Sequence, residues 1–296
     1  MYKRWCIASP FLLAKKRKSW YNRCMLRLYA QKTESLKSFT ENNYAQASFY
    51  WNYLLKNKEI RINGKRVSED VILQAGAEVS YFLTKKQAEK SAFYTVFEDD
   101  NFLIVDKESG VNSEAVFAEL CRRGEYCFIH RLDRNTKGLM AFAKNKKAEL
   151  ALLQAFKEKR VEKRYHALCF GKFSKQQETL CAYLKKDEKK SIVKVFDAPQ
   201  KGAESILTEY KVLEEGEETS LVEVTLHTGK THQIRAHLAH IGCPLVGDMK
   251  YGDTQKNKER NLSRQCLVSK HLRIFLEGEF SYLSDHIWTS QFEAKL

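Results

Sequence analysis

The chain has 296 residues, few prolines and no long apolar run. Its three prolines are too few for an extended proline-rich linker. No stretch approaches the roughly 20 apolar residues that a membrane-spanning helix needs. The apolar run at residues 7–14 contains Pro10 and lacks a small-residue cleavage site, so it is a poor signal peptide. These absences, with 43% hydrophobic and 30% charged residues, predict a globular protein without a membrane segment.

Cysteine pairs with metal-ligand spacing are also missing. None of the eight cysteines forms a C-x-x-C pair, and their spacings match no zinc module. Several lie in apolar runs, as Cys169 does, which is typical of small buried residues in a reducing compartment. We therefore expect a cytoplasmic protein. The chain also lacks a P-loop and a G-x-G-x-x-G segment after a strand, so no nucleotide cofactor is expected.

Acidic residues are outnumbered by basic ones. The chain has 37 Asp and Glu against 51 Lys and Arg, which gives a formal net charge of +14. Such an excess favours a polyanionic partner, most commonly nucleic acid. Residues 1–33 contain no acidic residue at all. Three interpretations of that stretch stay open: an RNA-binding arm, sequence before a start at Met25 or, ranking lowest, an organellar presequence.

The first organised segment, residues 35–84, predicts a helix followed by a hairpin. Apolar residues recur at helical spacing over residues 44–57. Ile60 and Ile62 then alternate with a basic residue before Asn63-Gly64, a strong tight-turn dipeptide, and a further strand is predicted at 79–83. We expect three basic residues of this segment to contact RNA: Arg61, Lys65 and Arg66.

This segment resembles the small RNA-binding module named after a small-subunit ribosomal protein. In that family a helical pair precedes a v-x-v-N-G strand and a G-D-x-V strand. Here the second signature has Ala77 in place of the aspartate. The alternative is a generic basic hairpin docked on a helix. The predicted organisation is a basic extension at 1–34, an RNA-binding domain at 35–84, a linker at 85–92 and a catalytic domain at 93–296.

The rest of the chain predicts an α+β domain. Several strands follow one another without an intervening helix, so we expect a mixed, mainly antiparallel sheet with flanking helices. Residues 171–200 are charged, show little periodicity and are interpreted as a surface excursion. Strands are predicted at 101–106, 138–143, 164–170, 205–213, 220–226 and 272–276, and helices at about 113–120, 145–159 and 231–241.

Residues 128–144 carry the strongest chemical signal. A short apolar strand leads into His130, Arg131 and Asp133, and a polar loop with Gly138 follows. Nearby positive charge favours an ionised carboxylate, and such a group on a loop at a strand end can act as a nucleophile. From these residues alone, however, a capping or salt-bridging role for Asp133 is the stronger interpretation, because most such aspartates are structural.

Three motifs in order resemble the RluA-type pseudouridine synthases. Residues 130–140 resemble H-R-L-D-x-x-T-S-G-L-L, with Lys137 in place of serine. Residues 163–165 resemble K-x-Y. Residues 226–238 resemble L-x-T-G-R-x-H-Q-I-R-x-H-L, with Lys230 in place of arginine, and continue into a G-x-P-I-x-G-D-x-x-Y-G pattern. The resemblance covers residues 97–276 or so.

The resemblance implies isomerisation of uridine to pseudouridine in RNA, with flipping of the base and without a cofactor. It implies that Asp133 attacks the nucleotide, that Arg235 pairs with Asp133, and that Tyr165 stacks on the uracil. Arg131 is similar to the family residue that fills the space of the flipped base. Further substrate or RNA contacts are assigned to Leu139 and Ile234, as an apolar wall, and to His130, Lys163, Lys230 and His232.

The histidines of the third motif do not predict a metal site. Their spacings from His232 along the helix are five and eight residues rather than four, and no acidic residue lies between them. Contact with RNA, capping or core packing fits them better, so no metal is expected. The histidines concerned are His227, His232, His237 and His240.

Two alternatives to the enzyme remain, and the substrate stays open within the favoured class. A non-catalytic RNA-binding or ribosome-assembly protein would not need to keep Asp133, Tyr165 and Arg235 together. A metal-dependent RNA hydrolase is disfavoured by the histidine spacings. The fused RNA-binding module favours large-subunit ribosomal RNA over transfer RNA as the substrate, and a monomer is expected.

Overall fold

The computed structural model of the chain describes residues 23–187 and 192–295. Two compact units are present. The small unit comprises residues 23–94 and 110–126, and the large unit comprises residues 95–109, 127–187 and 192–295. The predictions for residues 1–22 lie outside the described residues. No helix in the described part of the chain is long and apolar enough to cross a membrane.

The small unit combines a four-stranded antiparallel sheet, in the order β1-β6-β3-β4, with a short β2-β5 pair and five helices. Its elements are β1 (Arg23–Tyr29), β2 (Glu34–Ser35), α1 (Leu36–Asn43), α2 (Ala45–Phe49), α3 (Trp51–Lys56), β3 (Ile60–Ile62), β4 (Lys65–Val67), β5 (Ile72–Leu73), β6 (Glu78–Thr84), α4 (Lys85–Ala88) and α5 (Ser113–Cys121).

The predicted hairpin of this unit is confirmed. Asn63 and Gly64 join β3 to β4 with φ angles of 47° and 80°, the left-handed conformation that a tight two-residue turn requires. Tyr81 of β6 is fully buried, and its hydroxyl lies 2.7 Å from Thr40 Oγ1. The single helix predicted at 44–57 is instead two short helices separated by Tyr50.

The structure differs from the predicted segment boundaries in three places. β1 lies within the predicted extension and pairs with β6 from Arg23 to Tyr29, so the folded unit begins before residue 35. Part of the predicted linker forms α4, which Thr84 and Gln87 close with a capping box. Residues 110–126 group with the small unit, where Gln46 Nε2 donates to Glu119 Oε2 at 3.1 Å. Long-range contacts cause the first and third differences, and local patterns do not encode them, whereas the capping box of α4 is a local feature.

The large unit is built on one long sheet. The strand order is β13-β12-β14-β15-β11-β16-β10-β8-β7, with β17 beside β16 and β9 beside β10. The elements, with β7 starting in the small unit, are β7 (Phe93–Glu98), β8 (Phe102–Lys107), β9 (Cys127–Phe128), β10 (Lys137–Ala143), α6 (Lys146–Lys157), β11 (Val161–Phe170), β12 (Gln177–Asp187), β13 (Ile192–Phe196), β14 (Glu204–Glu215), β15 (Thr219–Leu226), α7 (Gln233–His240), α8 (Thr254–Glu259), β16 (Leu267–Ile274), a 3-10 helix (Gly278–Leu283) and β17 (Ile287–Thr289).

The predicted fold class is confirmed. β10 and β16 run parallel, and the other strand pairs with a defined register are antiparallel. The prediction of a surface excursion at 171–200 is wrong, because most of this segment forms β12 and β13. Ala182, Leu184 and Val193 are buried on these strands, while exposed lysines on the other face obscure the alternation in the sequence.

The packing of β10 fixes the position at which the loop that carries Asp133 ends. β10 is almost entirely buried, and α6 packs Ala148 and Leu152 against it. Gly138 has a φ of 110°, and a Cβ added there would lie 2.6 Å from Ser269 N. Only glycine therefore permits β10 to approach β16 this closely, immediately after the loop.

Candidate active site

All three motifs identified in the sequence meet at one cavity of the large unit. The cavity has a volume of about 290 Å³. It is lined by residues of the loop after β9, by Lys163 and Tyr165 of β11, and by residues 226–235, which lead from β15 into α7. Segments that are far apart in sequence therefore form one site.

Asp133 lies on the loop between β9 and β10, with a side chain that is 25% exposed. Backbone and side-chain contacts anchor the loop. Thr136 N donates to Asp133 O at 3.0 Å, and Gln265 Nε2 donates to the buried Thr136 hydroxyl at 2.9 Å. The buried Lys107 also donates from Nζ to Arg134 O at 3.2 Å. The carboxylate is thus presented to the cavity from a fixed loop.

Arg235 connects two carboxylates. Its Nη1 donates to Asp133 Oδ2 at 2.9 Å, as the resemblance implied. Its Nε and Nη2 donate to Asp248 Oδ2 and Oδ1 at 2.7 Å and 2.9 Å, a bidentate pair that fixes the plane of the guanidinium. Asp248 is fully buried, and its Oδ1 also accepts from the backbone N–H groups of Lys250 and Tyr251.

The ion pair keeps both buried partners charged. Burial would raise the pKa of Asp248, but the hydrogen bonds and the charge of Arg235 outweigh it and hold the pKa below its ordinary value. Burial likewise opposes the charge of Arg235, yet Asp248 and, to a smaller extent, Asp133 raise its pKa above the ordinary value. A permanent cation therefore stands next to Asp133.

Tyr165 forms part of the cavity wall and is only 6% exposed. Burial raises its pKa above the ordinary value, and the nearby Asp133 adds to the shift, while a hydrogen bond with the Ser269 side chain opposes it. The phenol is therefore protonated at neutral pH. Its aromatic ring offers a face for stacking.

His130 and Lys163 meet around Phe156. His130 Nε2 accepts from Ala141 N at 3.0 Å, and its ring stacks on Phe156 with 4.8 Å between the centroids. Burial, followed by the charge of Lys163, lowers the pKa of His130 to about 3, so the ring is neutral. Lys163 Nζ lies 5.4 Å from the Phe156 centroid, and burial lowers its pKa.

The structure brings most of the other predicted residues to the cavity. Arg131, Lys230, His232 and Ile234 line it. His232 adopts a left-handed backbone conformation at the N-cap of α7, and its Nδ1 lies 2.8 Å from the Tyr251 hydroxyl. Lys230 pairs with Glu204.

Two sets of predicted residues lie elsewhere. The assignment of Leu139 to the cavity wall is wrong, because its side chain is fully buried in the core cluster with Phe102 and Ile104. Arg61, Lys65 and Arg66 belong to the small unit, where Arg61 lies over the Phe82 ring at 4.8 Å and the other two are exposed.

The remaining histidines of the third motif have separate partners. His227 contacts Glu209 at 3.1 Å, His237 contacts Thr208 at 3.0 Å, and His240 contacts Asp197 at 2.7 Å. Burial lowers the pKa of His237 to about 4, which fits a packed neutral ring.

Sequence reasoning missed the residues that hold the site together. Asp248 and Tyr251 lie in the G-D-x-x-Y-G stretch, but nothing in the spacing indicates that the first binds Arg235 and the second binds His232. The one signal in the sequence that could have indicated this role is the acidic residue Asp248 inside a matched motif.

Comparison with known proteins places this site in a family. The family model described as RNA pseudouridylate synthase matches residues 101–240. The ribosomal large subunit pseudouridine synthase C of Rickettsia conorii is 30% identical over 274 residues, which cover 82% of this chain and 86% of that protein. The chain belongs to the RNA pseudouridylate synthase family. It is accordingly a pseudouridine synthase, an isomerase that acts on RNA.

Other relatives agree with this assignment. The pseudouridine synthase of the same name from Vibrio cholerae is 34% identical over 226 residues, which cover 68% of this chain and 70% of that protein. The solved structure of human RNA pseudouridylate synthase domain containing 1 has a TM-score of 0.57 and 29% identity, and the match covers 64% of this chain and 81% of that chain. Human RNA pseudouridylate synthase domain containing 4 shares the fold, with a TM-score of 0.54 and 20% identity, over 67% of this chain and 88% of that chain.

Proposed function

We propose that this pseudouridine synthase modifies uridines of large-subunit ribosomal RNA, with Asp133 as the nucleophile on a base flipped out of its helix. The observation that carries the proposal is the ion pair between Asp133 and Arg235 in a cavity reached by all three motifs. The ribosomal target is supported by the relatives from Rickettsia conorii and Vibrio cholerae, both named for the large ribosomal subunit.

The reaction requires a nucleophile held in one direction. The bond between ribose C1′ and uracil N1 breaks, the base turns, and C1′ bonds to C5. The proton on C5 leaves and N1 gains a proton, so the reaction needs no electron donor and no external group. A neighbouring cation stabilises the ionised form of a carboxylate. Arg235 supplies that cation, and Asp248 prevents it from turning away from Asp133.

The cavity favours a flipped base. A uridine stacked within an RNA helix does not expose its glycosidic bond, so it must leave the stack to react. Asp133 is reached through a cavity of about 290 Å³, which a single base can enter and an intact helix cannot. Arg131 is exposed and lines the same cavity, a position suited to filling the space that the base vacates.

Tyr165 is proposed to act as the platform for the uracil. Tyr165→Phe keeps the ring, so most of the substrate affinity should remain, whereas Tyr165→Leu should lose about 1–3 kcal/mol of stacking. Single-turnover rates measured against enzyme concentration will separate binding from chemistry. Equal losses of affinity in the Phe and Leu variants would contradict stacking as the role of this residue.

Catalysis is proposed to need no metal ion and no other cofactor. Dialysis against a chelator should leave the turnover number unchanged, provided that the RNA substrate remains folded. The measurement compares pseudouridine formation before and after chelation, with RNA structure checked by chemical probing. Activity that disappears and returns only with a divalent cation, with the RNA unchanged and the chelated protein still folded, would show that a metal takes part in catalysis.

The small unit is proposed to contribute RNA affinity. Arg61, Lys65 and Arg66 cluster on the β3–β4 hairpin, and Lys65 and Arg66 are exposed there. Cations that neutralise phosphates supply affinity that weakens with salt, and they position RNA without taking part in the reaction. This unit would therefore act on binding and leave the chemical step to the large unit.

Substitution of this cluster should change binding and its salt dependence. In the triple Gln variant of Arg61, Lys65 and Arg66, we expect the slope of log affinity against log salt to become shallower by about 2 to 3. The saturated single-turnover rate should stay within about twofold of the parent, because the reacting base is contacted elsewhere. A control variant that replaces three exposed lysines of the large unit by Gln should have a smaller effect on affinity: Lys147, Lys172 and Lys295. An unchanged salt slope would contradict the proposal.

The substrate is tested directly with purified protein. We expect pseudouridine to form in a transcript of large-subunit ribosomal RNA and not in transfer RNA under the same conditions. Modification of transfer RNA alone would overturn the ribosomal assignment, but it would agree with the assignment as a pseudouridine synthase. Tight RNA binding without product in any RNA would favour the non-catalytic assembly role.

A further inference from the structure

A second cluster of chemically active side chains lies on the large sheet, outside the cavity. His166, Glu223 and His271 come from β11, β15 and β16, which are neighbours in the order β15-β11-β16. His166 and Glu223 are direct cross-strand partners. One ligand atom from each residue lies within 4.8 Å of the others. Among residues 23–187 and 192–295, this is the only such group of three or more His, Cys, Asp or Glu side chains.

A β-bulge puts these side chains on one face. Successive strand residues point to opposite faces, so His166 points away from the face that carries Tyr165. Arg164 pairs with His271 and Tyr165 pairs with Ser269, which leaves Lys270 as the extra residue of β16. Without this bulge, His271 would share the face of Ser269, and the bulge therefore turns it toward His166.

Both imidazoles are available for coordination. His166 Nδ1 is buried and has no hydrogen-bond partner in the part of the chain that the structure describes. Its Nε2 lies 3.8 Å from Glu223 Oε2, which is too far for a hydrogen bond. His271 Nδ1 lies 3.0 Å from Thr289 Oγ1. When Nδ1 donates its proton to that hydroxyl, the lone pair of Nε2 can bind a metal ion.

The charges that surround the cluster balance one another, and Glu223 adds one negative charge. Arg164 donates from Nε to Glu162 Oε1 at 2.6 Å and lies 3.9 Å from Glu223. Lys270 is paired with Glu293 at 2.6 Å. The negative charges of Glu162, Glu223 and Glu293 exceed the positive charges of Arg164 and Lys270 by one, so this region has a net charge of minus one. The whole chain, in contrast, has a net charge of +14. The cluster is thus a local acidic site.

We propose that His166, Glu223 and His271 bind a divalent cation of the zinc type, with water completing the coordination. Two imidazoles and one carboxylate are a ligand set that zinc accepts, at distances of about 2.0–2.2 Å. Ligand atoms around a tetrahedral ion stand about 3.3 Å apart at those distances. The ligand atoms lie within 4.8 Å of one another, so side-chain rotation must bring them closer by at most about 1.5 Å. The site ties three adjacent strands together on the face opposite the cavity.

Titration of the metal-free full-length protein with ZnCl₂ tests the proposal. We expect one equivalent to bind and to raise the unfolding temperature. His271→Gln and Glu223→Gln should each weaken binding by at least about tenfold and reduce the thermal shift in proportion. Far-UV circular dichroism of the metal-free variants will show that they fold.

A matched control is His240→Gln, which removes another histidine that pairs with a carboxylate. This variant should bind zinc like the parent. Zinc binding that survives both His271→Gln and Glu223→Gln would place the ion elsewhere, for example at a cysteine, and would overturn the site. Absence of stoichiometric binding by the parent would also overturn it.

Discussion

Asp133→Asn should abolish pseudouridine formation and leave the protein folded and able to bind RNA. The amide keeps the shape of the carboxylate but cannot act as the nucleophile. We expect the single-turnover rate to fall by at least about 10⁴-fold, a size typical of losing a catalytic nucleophile. The measurement is pseudouridine formed on a transcript of large-subunit ribosomal RNA at saturating enzyme, with RNA affinity determined separately.

Asp285→Asn is the matched control for this substitution. Asp285 is 98% exposed and lies 4.0 Å from Arg273, so its replacement should change neither folding nor rate. Asp133→Asn enzyme that retains a tenth of the parental rate would eliminate Asp133 as the nucleophile. Loss of RNA binding together with the rate would instead point to a structural role.

Removal of the Arg235 guanidinium should damage stability and catalysis, and the two effects should be separable. In Arg235→Met, the fully buried Asp248 loses its cation, which should lower the free energy of unfolding by about 3–5 kcal/mol. Asp133 loses its partner at 2.9 Å at the same time, so the rate should fall by at least about 100-fold.

The double variant Arg235→Met with Asp248→Asn separates the roles. The amide oxygen of Asn can still accept from the N–H groups of Lys250 and Tyr251, and no charge remains buried. We expect most of the lost stability to return in urea denaturation, while the rate stays as low as in the single variant. Recovery of both would mean that Arg235 serves only the fold and does not act on Asp133.

Local patterns in the sequence predicted the elements that periodicity and turn chemistry encode. The Asn63-Gly64 hairpin, the buried strand β10 and helix α6 all follow from residues close together in the chain. β1 and β12 were missed because their stability comes from pairing with distant strands and because lysine and arginine interrupt their apolar alternation. Pairing between distant strands is a tertiary property that no short window contains.

The candidate site was predicted by resemblance more than by physics. From the residues alone, a capping or salt-bridging role explains Asp133 better than catalysis does, and only the ordered motifs favoured catalysis. The partnership of Arg235 with Asp248 could not be predicted, because it depends on how α7 packs against the turn that follows it. Leu139 shows the converse error, since a residue inside a matched motif proved to belong to the core.

The most direct test is a map of pseudouridines in ribosomal RNA from cells that lack this protein, complemented with the parent or with Asp133→Asn. We expect one or more large-subunit pseudouridines to disappear in the deletion, to return with the parent and to stay absent with the variant. Large-subunit pseudouridines that are unchanged by the deletion, or that return equally with Asp133→Asn, would contradict this expectation.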